Sequence, residues 1–310
     1  TLHGYTQEEI GYVLTPMGRD GKEPTGSMGD DTPPSTLNGP GRLLYTYFRQ
    51  RFAQVTNPPI DSLREKIVMS LDTYLGRRHS ILEEEPEAAR LVHLMSPVMS
   101  EGELVQLWEG TPEGFSISKL EACFAVADGA EGLERSLDDL CTAASAAVVD
   151  GSQVLVISDR FSDESHAPIP MLLAVSTVHF HLIREGLRMR ASIVAEAGDA
   201  RDVHHFAALI GFGASAICPY LAFETLGGMV AAGDFDGQAL DEVIANYRKA
   251  ADAGILKVMS KMGISTYQSY CGAQIFDAVG LNSAFVEKYF TNTQTMIEGI
   301  GLAEIGEETF

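Results

Sequence analysis

Basic residues are scarce in this chain, and long apolar runs are missing. Lysine and arginine together number 22 against 43 aspartates and glutamates, a formal net charge of −21 over 310 residues. A surplus of that size repels phosphate backbones and anionic lipid surfaces, so neither nucleic acid nor membrane is an expected partner. No stretch reaches the roughly 18 uncharged apolar residues of a membrane-spanning helix. The opening TLHGYTQEEI lacks both the basic-then-apolar order of a secretory leader and an amphipathic Arg-rich pattern, which makes the cytoplasm or a similar soluble compartment the expected location. The four cysteines, Cys123, Cys141, Cys218 and Cys271, are far apart and unpaired in spacing, which gives a zinc site or cysteine-ligated cluster no support. They are expected to be mostly buried reduced thiols. No GxSxG, P-loop or HExxH pattern occurs.

What is present is apolar material sufficient for a full core: 45% of the chain is hydrophobic, which suits one large α/β domain or two smaller ones. Thr1 and the trailing IGLAEIGEETF read as cuts from a longer chain, although processing would also explain the start.

The first 115 residues read as mainly helical with interruptions. Thr6 and Glu9 fit a capping box for a helix to about Met17, with Gly18, Gly21 and Gly26 breaking it. Helical spacing of Leu43, Leu44, Tyr47, Phe48, Arg51 and Phe52 predicts a helix running into Val55. A second is predicted through Ile67, Leu71, Tyr74 and Leu75, and others around Pro86–Met95 and Glu101–Trp108. Two loops stand out. In GSMGDDTP, the residues Ser27, Met28, Gly29, Asp30, Asp31 and Thr32 sit on a glycine-flanked bend whose two carboxylates are too few for a convincing metal shell. In VTNPPID, Pro58 and Pro59 stop the helix and restrict Asn57, leaving a stiff loop with Thr56, Asn57, Ile60 and Asp61 along it. Such a loop serves as a plain connector or as the wall of a cleft or passage.

From Lys119 the rhythm changes to apolar strands alternating with helices. Strands are predicted at Leu120–Val126, Gln153–Ser158, Ala191–Glu196 and Ala214–Cys218, with Ser265–Tyr267 a possible last one. Helices are predicted at Leu133–Val149, Ile169–Leu187, Asp202–Ile210, Leu221–Ala232, Leu240–Ala253 and Leu256–Met262. Nearly all-apolar strands at this period indicate parallel pairing with helices on the faces. Four or five such units make part of a (β/α) barrel or an open sheet, short of a complete barrel. Partial barrel units are expected over 116–290, with 291–310 leading out as a linker.

In such a sheet ligands lie beyond the strand C-terminal ends. Asp128, Asp159, Arg160, the loop Glu196–Asp199 and Tyr220 fall there. Asp159 and Arg160 either meet a substrate or pair with each other or with solvent, the second being favoured. His179 and His181, like the adjacent His204 and His205, diverge on their helices and read as satisfied core or interface groups. Gly211-Phe212-Gly213 follows a helix, so it ends that helix and is no dinucleotide fingerprint.

The passages GSMGDDTP, RLLYTYFRQRFAQVTNPPIDSLRE, VHHFAALIGFGASAICPYLAFET, NYRKAADAGILKVMSKMGIST and GAQIFDAVGL together resemble the central domain of the glutamate synthase family, in the same order. The resemblance spans nearly the whole chain. It implies a degenerate, incomplete relative of an FMN-binding barrel, joining a glutaminase domain to an FMN domain of the same polypeptide and helping form an internal ammonia channel. In the parent reaction, glutamine and 2-oxoglutarate give two glutamates, with electrons passing through FMN and an iron–sulfur cluster. The resemblance implies that no cofactor is bound and no catalysis carried out by this segment itself. It also implies that Ser27–Thr32 and Thr56–Asp61 belong to channel or interdomain contacts, and that a plastid is the compartment in a photosynthetic eukaryote. Cys271 in SYCGAQIF stands where the family more usually carries a basic residue, which puts an anion contact there in doubt. Two other readings are a self-contained barrel-type enzyme binding flavin or a phosphorylated ligand, and an interaction module mediating homo-oligomer contacts.

Overall fold

A computed structural model describes residues 3–25, 42–51, 60–80, 82, 84–110 and 114–309. The Thr6–Glu9 capping box forms as expected: Thr6 Oγ1 accepts from the Glu9 N–H at 3.1 Å, and the Glu9 carboxylate accepts from the Thr6 N–H at 3.1 Å. It opens α1 (Gln7–Glu9), which continues through a π-helical turn into α2 (Thr15–Asp20) and ends at left-handed Gly21. Gly18 is therefore no breaker. A β-carbon there would lie 2.9 Å from both Leu226 and Val243, so the missing side chain lets this helix approach its neighbours.

Over the described residues 43–51, the predicted helix is replaced by a 3₁₀ turn, Leu44–Tyr47, and a strand, β1 (Phe48–Gln50), antiparallel to residues 276–278. Packing overrides periodicity: Phe48 lies between Phe212 and Phe290, with ring centroids 5.1 and 4.7 Å away. The next helix, α3 (Ser62–Val68), stops before Leu71, and Thr73–Leu75 forms β2, paired antiparallel with β3 (Val92–Leu94). The helix predicted at Pro86–Met95 is a single 3₁₀ turn, Pro86–Ala89, because the residues after it join this ribbon, where Tyr74 stacks on His93 at 4.8 Å. α4 (Glu101–Glu109) forms where expected, capped by Ser100 with Glu103.

The alternating half follows the prediction closely: β4 (Ser116–Glu121), β5 (Cys123–Ala125), α5 (Gly129–Val149), β6 (Ser152–Ser158), β7 (His166–Pro168), α6 (Met171–Arg184), β8 (Ser192–Glu196), α7 (Val203–Gly211), β9 (Ala216–Cys218), α8 (Tyr220–Ala232) and α9 (Leu240–Lys261). β4, β6, β8 and β9 form one sheet in that order, every pair parallel. The predicted strand at Leu120–Val126 divides at Ala122, whose N–H donates to Ser158 O and whose carbonyl accepts from Ile169; beyond it β5 pairs antiparallel with β7. The two helices expected over 240–262 are one, because Gly254 faces α7 without breaking the helix: a β-carbon there would meet Val203 at 2.2 Å. Gly211 ends α7, and Gly213, at φ +112, turns into β9 as expected.

Ser265–Tyr267 is not a strand. Thr266 makes a lone bridge to Ser70, and Tyr267–Tyr270 coils into α10, with the Tyr267 hydroxyl donating to the carbonyls of Ala214 and Ser215 at 3.0 Å. Then follow β10 (Phe276–Leu281), α11 (Ser283–Tyr289), β11 (Gln294–Ile300) and α12 (Leu302–Glu308), with β1, β10 and β11 forming a second sheet. Residues 291–309 thus carry a strand and a helix, and Gly306 of α12 sits close to Ala130 and Leu133 of α5. The core centres on β6, β8 and β9 and on α6, which is buried on nearly every face.

Candidate functional site

Four parallel strands deliver their C-terminal ends to one side of the main sheet. There the chain places Asp159 directly after β6, Glu196 at the end of β8 with Asp199 and Arg201 just beyond, and Tyr220 at the start of α8. Tyr45 and the N-terminal segment from His3 close over them.

Asp159 is buried, and both its oxygens accept from the Gly198 N–H at 3.0 Å. Asp199 accepts from the Tyr45 hydroxyl at 2.9 Å and from the Met171 N–H, at the head of α6, at 3.1 Å. Burial, and after it the neighbouring Asp199 carboxylate, holds the Asp159 carboxyl well above the usual range; burial raises Asp199 as well. The charge on Asp199 thus opposes ionisation of Asp159. His3 Nδ1 comes within 4.0 Å of Asp159. Burial and then Arg201 lower His3 to about 4, so the imidazole is held neutral and this approach is no ion pair.

Arg201, 2% exposed, ties the N-terminal segment down. It donates to Glu9 Oε1 at 2.6 and 3.1 Å, to the carbonyls of His3 and Gly4 at 3.1 and 3.0 Å, and lies 4.5 Å from the Tyr5 ring centroid. Arg160 donates to Glu196 at 2.9 Å, to Glu224 at 2.8 Å and to Glu101, and stacks 4.0 Å over Tyr220. Lys119 reaches the other Glu196 oxygen at 2.8 Å. Burial works to raise Glu196, but Lys119, Ser158 and Arg160 outweigh it and hold the carboxylate below its usual range. Asp159 and Arg160 therefore pair neither with each other nor mainly with solvent; each is satisfied by a different part of the chain.

The histidines are satisfied groups, as read from the sequence. His204 Nε2 donates to Tyr45 O at 2.9 Å, and His205 stacks on Tyr45 at 4.3 Å and is lowered to about 4 by burial. His179 accepts from Arg188 Nε at 2.9 Å, and His181 meets Ser145 at 2.8 Å. Cys271 is a half-buried thiol donating to Ala214 O at 3.4 Å, its pKa raised by burial with Arg188 opposing.

Beside the carboxyl pair lies a cavity of about 50 Å³ lined by His3, Leu43, Asp159, Ile169, Asp199 and Glu308, among others. That admits a few water-sized molecules, whereas cofactor-sized ligands need roughly 300 Å³ or more. The residues here do not fit a flavin: the space is several times too small for one, and three carboxyl groups line it against the guanidinium of Arg42. Nor do any His, Cys, Asp and Glu groups among the described residues assemble for a metal or cluster.

Of the loop residues singled out in the sequence, Ser27, Met28, Gly29, Asp30, Asp31, Thr32, Thr56, Asn57, Pro58 and Pro59 lie outside the described residues. Ile60 and Asp61 are described. Ile60 donates its N–H to Ser260 O at 3.0 Å, and Asp61 caps α3 by accepting from the N–H groups of Leu63 and Arg64 at 3.0 Å. Sequence reading located Asp159, Arg160, Asp199 and Tyr220 at this end but missed Arg201, Tyr45, His3, Glu9, Glu101 and Glu224. No local pattern marks them, since their partners lie scores of residues away.

Residues 1–282 match the family described as "Glutamate synthase central domain". Among curated proteins, the chain is 45% identical to a ferredoxin-dependent glutamate synthase of Pyropia yezoensis (100% of this chain, 21% of that protein). It is 48% identical to ferredoxin-dependent glutamate synthase 2 of Arabidopsis thaliana (99% and 19%) and 45% identical to the glutamate synthase [NADPH] large chain of Bacillus subtilis (98% and 20%). The chain thus spans about a fifth of the length of these relatives. Among solved structures, the flavin-binding domain of baker's yeast flavocytochrome b2 superposes with a TM-score of 0.36 at 13% identity, over 59% of this chain and 39% of that one. Similarity this weak places no constraint on fold or function. No described helix is long and apolar enough to cross a membrane. On the match across residues 1–282, the chain belongs to the glutamate synthase central domain family.

Proposed function

We propose that this domain joins a glutaminase domain to an FMN-binding domain within one polypeptide and contributes the VTNPPID loop to an internal ammonia passage. The parent reaction on this reading converts glutamine and 2-oxoglutarate, with a reductant, into two glutamates; FMN and an iron–sulfur cluster belong to the neighbouring domain. The observation that carries the reading is full-length similarity to a fifth of much longer glutamate synthases. The geometry supports a connecting role over a self-contained enzyme. At the end of the sheet where a parallel α/β domain holds its ligand, the described residues tie their charges to one another, and the cavity beside the carboxyl pair is about 50 Å³. We read the fold as a degenerate relative of the FMN-binding barrel whose ligand end has been closed by its own N-terminal segment.

An ammonia passage must be stiff and sealed, since escape into bulk water loses the nucleophile to protonation and diffusion. Consecutive prolines supply stiffness without a ligand, and Ile60 and the Asp61 cap fasten the loop's exit to α9 and α3. Replacing Pro58 and Pro59 with glycine in the complete enzyme is expected to leave glutamine hydrolysis running while glutamate formation from glutamine falls severalfold, with synthesis from added ammonia unaffected. Glutamine-dependent synthesis still matching hydrolysis in that variant sinks the passage role.

A further inference from the structure

The opposite end of the main sheet carries a different kind of site. A cavity of about 260 Å³ opens at the N-terminal ends of β4 and β6, and its lining includes Arg77, His79, Glu87, Arg90, Gln153 and Arg190. In a chain with a net charge of −21, three guanidinium groups here face a single carboxylate among the described lining residues. Among the described residues, none of the three makes an ion pair, whereas Arg51, Arg135, Arg160, Arg201 and Arg248 each do.

The walls are fixed. The Ser192 hydroxyl accepts from the Gly76 N–H at 3.0 Å and donates to the Gly76 carbonyl at 3.2 Å, setting the position of Arg77 beside it. Arg78 donates its N–H to Met189 O at 2.8 Å, which binds this segment to the 3₁₀ turn carrying Arg190. Gln153 Nε2 donates to Gly114 O at 3.0 Å across the rim, and His79 is held by Glu85 at 3.0 Å, so that acid is already engaged. On the same turn as Arg190, half-buried Arg188 donates to His179 and to the carbonyls of Ala191 and Gly213 at 2.7 to 2.9 Å. Holding three like charges around a fixed hollow without counter-ions costs repulsion that an anion would relieve.

We propose that this cavity binds a compact phosphate-bearing anion. A planar carboxylate is satisfied by one or two guanidinium forks. A tetrahedral phosphate presents oxygens in several directions and matches three arginines arriving from three separate segments. The volume lies below that of cofactor-sized pockets, which selects a small ligand. Glu87 on the rim opposes binding and sets an upper limit on charge attraction. The site is independent of the family assignment and lies away from the carboxyl pair.

Calorimetric titration of the intact chain with pyrophosphate at low ionic strength tests this, with orthophosphate and succinate as parallel arms. The expected result is one saturable site for pyrophosphate, competed by orthophosphate, weakened by salt, and binding succinate at least tenfold more weakly. Each of Arg77→Gln, Arg90→Gln and Arg190→Gln should weaken pyrophosphate about tenfold, with Arg90→Lys keeping part of the affinity and Arg135→Gln keeping all of it. Circular dichroism confirms that each variant folds, and a lysine variant replaces any that does not. No saturable binding, binding indifferent to these arginines, or succinate binding as tightly as pyrophosphate overturns the proposal.

Discussion

The two ends of the parallel sheet solve the same electrostatic problem in opposite ways. At the C-terminal end, Asp159, Asp199, Glu196, Arg160 and Arg201 are buried or half-buried and each is matched by groups from elsewhere in the chain. At the N-terminal end, Arg77, Arg90 and Arg190 are exposed and make no ion pair among the described residues. Buried charge must be satisfied within the protein because water cannot reach it, whereas exposed charge is solvated, and its residual repulsion is small enough for the fold to carry until a ligand arrives. A paired, closed end reads as structure, and an unpaired, open end reads as a place where something arrives.

The largest break in this contrast should come from Arg201→Met. It orphans the carbonyls of His3 and Gly4 and leaves Glu9 without its cation. A loss of about 3 kcal/mol is expected, at the low end for a broken buried pair because Glu9 is partly exposed. Urea denaturation at neutral pH measures it, and a loss within experimental error of zero would show that the N-terminal segment is not held by this clamp.

A smaller effect follows from the carboxyl pair. Asp159 has a folded-state pKa above its unfolded one, so the folded protein binds more protons than the unfolded chain. Its contribution to stability is fully present below the ordinary carboxyl range and is lost as pH rises through the raised value. Asp159→Asn removes that titration, so its stability relative to the parent should improve steadily as pH increases from 4 towards neutrality, as the order-of-magnitude window set by an ordinary carboxyl pKa of about 3.9. Thermal melts of both proteins across that range check the sign; parallel curves would mean that Asp159 is ionised throughout.

The smallest effect sharpens the comparison from the other side. Arg190→Gln should change unfolding free energy by less than about 0.5 kcal/mol, because an exposed, unpaired guanidinium contributes little to the fold. A loss approaching that of Arg201→Met would make the cavity a structural device and erase the distinction between the two ends.

The sheet was legible because its strands are short runs of apolar residues; in β6 and β8, burial on both faces leaves almost no polar position to mislead. The N-terminal third was legible only where caps speak locally, as at Thr6, Asp61 and Ser100. It failed at 43–51 and at 71–95, where Tyr47, Phe48, Tyr74 and Val92 satisfy a helical spacing and a strand equally well. The choice there was made by Phe212, Phe290 and His93, which are remote in sequence. The strand-end loops could be named from topology. The clamp of Arg201 on Glu9 could not, because nothing near either residue announces the other.

That clamp also bears on when the domain can finish folding. Glu9 and Arg201 are separated by 192 positions, so during synthesis at roughly 5 to 20 residues per second the first partner waits about 10 to 40 s for the second. Until Arg201 is made, Glu9 and the Tyr5 ring lack the guanidinium that joins them, and Tyr45 lacks Asp199 and His205. Closure of the strand-end face is therefore a late event in the life of the nascent chain, and the opening segment is the part of this domain most in need of shelter until it happens.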